Sequence, residues 1–179
     1  MKYFLLFLTA MALVGFILKK NNEISLCRAE ELVNISLEET AKVINKKYHI
    51  RPCGAGVAMP EGPIRSLTLC FSTKKTAKME ELRILLIQSA KELVDYVINN
   101  EEIQPFLKVR PFTIENVQII IYNHDASGRH VYDPDILTAE ISDSYLTYRT
   151  VESKENFKLK NEFKETYEEA LEKNKNTDK

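Results

Sequence analysis

The stretch YNHDASGRHVYDPD, residues 122–135, gathers two histidines and three aspartates into one short run of chain. His124 and His130 with Asp133 or Asp135 are side chains of the kind that hold a zinc-like ion, because such ions accept imidazole and carboxylate together. An ion held there would support a metal-dependent hydrolase. The spacing argues against it. Metal motifs fix their ligands at helical or knuckle intervals, whereas His124 and His130 are separated by turn-forming residues, and His49 is remote in the chain. Asp125 can accept backbone N–H bonds and Gly128 supplies a positive φ, both of which suit a turn. Pro134 directs Asp133 to an extended backbone. The expectation is a polar loop between two strands, with His124, His130, Asp133 and Asp135 as the metal-binding alternative.

Other reactive templates are missing from the sequence. CGAGVAMPEG, residues 53–62, has glycines but opens no helix after a strand, so it lacks the frame that cradles phosphate. There is no nucleophile elbow or dinucleotide fingerprint, and no cofactor is implied. His49 and Cys53 would lie about 13 Å apart on an extended segment, too far for a nucleophile–base pair.

Cys53 and Cys70 pose a question of register. MPEGPI, residues 59–64, signals a turn between a strand near 53–59 and the alternating strand SLTLCFS. With Glu61-Gly62 as a two-residue turn, Cys53 sits opposite Cys70, and a disulfide becomes possible in an exported protein. With Glu61-Gly62-Pro63 as the loop, Val57 faces Leu67, Ala55 faces Leu69 and Cys53 faces Phe71, while Cys70 points the other way. The second register collects apolar residues on one face, and Pro63 lacks the N–H that would close the tighter turn. It is the expected register, without a disulfide.

The elements that must position these residues follow from periodicity. Ser36 with Glu39 has capping-box spacing, and Leu37, Ala41 and Ile44 form a short helical stripe after it. Leu67, Leu69 and Phe71 alternate with polar residues, as in a strand with one buried face. Met79, Leu82, Leu86, Ala90, Leu93 and Val97 mark a long helix whose apolar stripe suits packing on a sheet. ENVQIIIYN, ILTAEIS and YLTYRTV read as strands from their β-branched and aromatic content. NEFKETYEEALEKNK reads as a closing helix with Phe163, Tyr167 and Leu171 on one face, followed by a frayed tail over 174–179. The fold class is α+β: an antiparallel sheet of about five strands with helices packed on one face, in a single domain over residues 30–173.

The start of the chain sets the expected address. Tyr3–Leu18 is apolar except for Thr9 and is bracketed by Lys2, Lys19 and Lys20. As a helix it would span roughly 24 Å, short of the about 30 Å hydrocarbon core unless the lysines snorkel. Residues 1–20 are therefore expected to be a membrane anchor or signal segment, and 21–29 a tether. Cys27 follows Leu26, too bulky for a lipoprotein signal, and Ala10-Met11-Ala12 lies inside the apolar run. An uncleaved anchor with the domain on the exported side is expected, and secretion after cleavage is the alternative. The body that remains has more acids than bases and no clustered Lys/Arg face, which excludes nucleic acid as the expected partner.

IQPFLKVRPFTIENVQIIIY, residues 103–122, and ETYEEALE, residues 165–172, stand behind a long amphipathic helix. In these features the chain resembles, over about 64–172, a group of small exported proteins of chlamydia-like intracellular bacteria with N-terminal apolar segments. The group carries no assigned activity, so the resemblance implies an envelope location and no chemistry. The functional expectation is a non-catalytic binding module, tethered to the membrane through Tyr3–Leu18 and presenting its sheet or loops to a protein or envelope ligand.

Overall fold

The computed structural model describes residues 26–60 and 62–177. The apolar run Tyr3–Leu18, and with it the expected anchor, lies outside the described residues. Among the described residues no helix is long and apolar enough to cross a membrane.

Helix α1 occupies residues 26–48. It buries Ala29, Leu32, Val33, Leu37, Ala41 and Ile44, a stripe at three- and four-residue steps. Residues 26–29, expected to be tether, thus belong to the domain. Ser36 is no N-cap: it sits in the middle of α1, fully buried, and its hydroxyl donates to the Leu32 carbonyl one turn back at 2.7 Å. His49 ends the helix in the left-handed region, φ 57°, with its N–H returned to the Asn45 carbonyl at 2.9 Å.

Strands β1 (Arg51–Ala58) and β2 (Ser66–Ser72) form the expected hairpin. Helix α2 (Met79–Asn99) follows, then two short 3-10 turns, Gln104–Phe106 and Ile114–Asn116. The Glu81 carboxylate accepts from the Lys78 N–H at 2.9 Å to start α2, and the Gln104 amide donates to the Val97 carbonyl at 2.6 Å near its end. Strands β3 (Val117–Tyr122), β4 (Thr138–Ser142), β5 (Tyr145–Val151) and β6 (Leu159–Thr166) complete the sheet, and α3 (Tyr167–Thr177) closes the described chain.

The fold is α+β, with six strands in sequence order. The sheet is mixed, where a purely antiparallel one was expected. β2 and β3 run parallel because the crossover through α2 returns the chain to the end where β2 began; all other neighbours are antiparallel. The uncounted strand is β6, whose residues were expected to begin the last helix. There Phe163 pairs with Tyr148 and Glu165 with Leu146, so alternation replaces helical period up to Thr166. The helix starts at Tyr167, where Thr166 and Glu169 cap each other reciprocally at 2.8 and 3.2 Å, and it continues past 173 to Thr177.

All three helices pack on one face, sharing one core with Leu69, Phe71, Ile119, Ile121, Ile141 and Tyr148 of the sheet. The opposite face is polar and internally bonded. Thr68 donates to Gln118 at 3.0 Å, Gln118 to Glu140 at 2.7 Å, and Arg149 to Glu140 and Glu162 at 2.9 and 2.7 Å. That chain of bonds spans β2 to β6.

Candidate functional site

The site lies at the carboxyl ends of β2 and β3, the parallel pair. In α/β sheets this is where loops diverge and leave a crevice. Thr73 continues β2, its N–H donating to the Tyr122 carbonyl at 3.0 Å. Asn123 then fastens the loops on either side. Its amide donates to the Ala77 and Ile136 carbonyls at 2.9 and 2.8 Å, and its Oδ1 accepts from the Ala77 N–H and the Thr73 hydroxyl, each at 2.9 Å. Asn123 is fully buried with every polar atom of its side chain bonded, so it holds the β2–α2 and β3–β4 loops as one piece.

On that brace sits the loop with the histidines. His124 and His130 form an isolated antiparallel bridge, and their rings stack with centroids 5.1 Å apart. Asp125 builds the turn between them: its carboxylate accepts from the Ser127 hydroxyl and N–H at 2.6 and 2.8 Å and from the Arg129 N–H at 3.0 Å. These bonds, the Ser127 hydroxyl first, hold Asp125 well below the usual carboxylate range. Gly128 takes φ 81°, as the turn requires. His124 Nδ1 donates to the Tyr122 carbonyl at 3.2 Å, which makes Nε2 the acceptor nitrogen of the neutral ring.

Of the four metal-ligand candidates, the structure brings together only the two histidines. Asp133 faces β5 and β6, accepting from Thr150, Lys160 and Asn161 at 3.0, 2.8 and 2.8 Å. Asp135 pairs with Lys78 at 2.8 Å. Among the described residues no group of three or more His, Cys, Asp or Glu side chains is placed to hold a metal ion. His49 is the helix cap described above.

The cysteine pair combines both registers weighed from the sequence. Arg51 and Pro52 pair with Ser72 and Phe71 in the tighter register, while Gly54, Ala55 and Val57 pair with Cys70, Leu69 and Leu67 in the wider one. The slip falls at Cys53, a β-bulge. Pro52, not Cys53, therefore faces Phe71. All three cysteines of the chain are free thiols.

A groove of about 490 Å³ opens between the start of β1 and this loop, lined by Arg51, Ser72, Thr73, Lys74, His124 and residues 125–128. Arg51 and Lys74 are exposed, and neither makes an ion pair or side-chain hydrogen bond among the described residues. Asp125, the one acid lining the groove, is already bonded to Ser127 and Arg129. The groove thus presents two uncompensated cations beside an imidazole. Sequence reading missed Arg51, Lys74 and Asn123 as site residues; the one available signal was a lone polar Asn123 directly after an apolar strand. A wider groove at the opposite end of the sheet, about 1320 Å³, mixes Arg65 and Lys108 with Glu115 and Asp143 and shows no such bias of sign.

A second polar cluster centres on a buried carboxylate. Glu165 of β6 accepts from Arg83 Nε, the Tyr148 hydroxyl and Lys173 Nζ, each at 2.7 Å. Burial pushes the Glu165 carboxyl up, but bonds from Arg83, Lys173 and Tyr148 outweigh it and hold the carboxyl below its ordinary value. Burial and the bond to Glu165 together raise the Tyr148 phenol far above its ordinary value.

Compared with protein-family models, with curated proteins and with solved structures, the chain matches none.

Proposed function

We propose that this chain is a membrane-tethered, non-catalytic binding domain whose groove between β1 and the loop of residues 124–130 receives an anionic group of a protein or envelope partner. The observation that carries the reading is the convergence of Arg51 and Lys74 on one groove with no carboxylate among the described residues paired to either. A carboxylate or phosphate set between a guanidinium and an ammonium forms charge-assisted hydrogen bonds with both. The Ser127 hydroxyl donates to Asp125 and the Thr73 hydroxyl to Asn123, so neither of these two is activated by an imidazole. The tether in this reading is Tyr3–Leu18, whose signal-like placement favours the exported side of a bacterial cytoplasmic membrane for the domain.

Fluorescence anisotropy of a labelled oligoglutamate peptide tests the groove. Binding to the full-length chain in mild detergent should weaken with salt and fall about tenfold or more in Arg51→Glu/Lys74→Glu. Equal binding by the variant would remove the groove from the proposal. Fractionation tests the tether: full-length protein found wholly in the cytosol would sink it.

A further inference from the structure

The bulge in β1 keeps the two cysteines neighbours although the wider register governs the rest of the hairpin. A bulge sets two residues of one strand against one of its neighbour. Here Gly54 pairs with Cys70 and Cys53 is the extra residue beside it. Gly54 has no side chain to intervene. A Cβ built on Gly54 would lie 3.4 Å from Cys70 Cβ and 3.6 Å from its sulfur, so the Cys70 thiol leans over the β1 backbone next to Cys53. Cys70 shares the open face with Tyr122 and Glu140, and the Tyr122 phenol is pushed up by burial first and then by both cysteines. Each thiol is also pushed up, chiefly by burial, and Cys53 additionally by Cys70 itself. The opposed pair at the bulge is Gly54–Cys70, and a disulfide from Cys53 one position along needs Cα atoms about 4.4–6.8 Å apart.

We infer that Cys53 and Cys70 are a redox site, closing to a disulfide across the β1 bulge when the domain meets an oxidising disulfide. The bond would pin the edge strand two residues from Arg51, at the mouth of the groove. With glutathione disulfide as oxidant, one cysteine thiolate attacks it, forming a mixed disulfide and releasing one glutathione thiolate. The second cysteine thiolate then displaces the other glutathione and closes the Cys53–Cys70 bond. Two electrons pass from the pair to the oxidant and two protons leave the thiols, giving two reduced glutathiones.

Full-length protein in mild detergent is incubated with glutathione disulfide, blocked with an alkylating agent, digested with trypsin and analysed by mass spectrometry. The expected product is a monomer lighter by two hydrogens, with the peptide carrying Cys53 linked to the peptide carrying Cys70. The link should persist in Cys27→Ser and be lost in both Cys53→Ser and Cys70→Ser, where the remaining thiol keeps a glutathione adduct. Far-UV circular dichroism confirms that the variants are folded. Separate glutathione adducts on Cys53 and Cys70 of the wild type, links to Cys27, or a Cys53–Cys53 dimer would each overturn the inference.

Discussion

The cluster around Glu165 and the groove around Arg51 each concentrate charge, and they treat it in opposite ways. In the first, an arginine, a lysine and a tyrosine converge on one carboxylate that solvent scarcely reaches. In the second, two cations stand at the mouth of a crevice whose single acid is already committed to its own turn. A buried charge without partners is costly, so a closed cluster must be complete within the fold. An exposed cation carries no such requirement, and leaving two of them uncompensated on one concave surface keeps them available to a ligand. The closed cluster thus joins α2, β5, β6 and α3, while the open one leaves its charge facing solvent.

Breaking the closed cluster should have the largest effect. Glu165→Ala leaves the Arg83 guanidinium buried and unpaired, and urea denaturation should show a loss of about 3–5 kcal/mol. Arg83→Met/Glu165→Met should lose less than the two single variants together, since neither charge is then stranded. Next comes the brace under the groove. Asn123→Ala strands the Ala77 N–H and the Ala77 and Ile136 carbonyls, and should cost at least the about 1–3 kcal/mol of one buried unpaired group. It should also weaken peptide binding, because the loops that carry Lys74 and His124 lose their common anchor.

Acid should weaken the closed cluster. Glu165 has a folded-state pKa below its ordinary value, so its contribution is fully present above the unfolded value and is lost as pH falls through the folded one. Thermal denaturation should therefore show the melting temperature falling below about pH 4.5, with a smaller fall in Glu165→Gln. The smallest effect on stability belongs to the groove. Arg51→Ala/Lys74→Ala should leave the melting temperature where it was, because neither cation contributes a pair to the fold.

Legibility from sequence divides along the same line. The sheet core and α2 were readable because Leu67, Leu69, Phe71 and the stripe from Leu82 to Val97 keep a clean period of one kind. β6 was not, because an edge strand whose inward positions are Phe163 and Glu165 offers no apolar alternation, and Phe163, Tyr167 and Leu171 share helical spacing. The T-x-x-E of Thr166 to Glu169 was the overlooked marker of where the helix begins. The polar character of the histidine loop could be read from its turn residues. Its groove could not: the hairpin sets Arg51 opposite Ser72, but it is the parallel pairing of β2 with β3 that brings His124 to the same end of the sheet. The cysteine register escaped for a related reason, since a bulge lets two mutually exclusive pairings occupy one hairpin.

The most direct measurement is a ¹H–¹⁵N titration of the full-length chain in detergent micelles with inorganic phosphate, which maps where an anion settles. Shifts should concentrate at Arg51, Thr73, Lys74, His124 and Gly128 and vanish in Arg51→Ala/Lys74→Ala. Shifts scattered over the surface, or persisting unchanged in that variant, would contradict a groove whose cations are kept for a ligand.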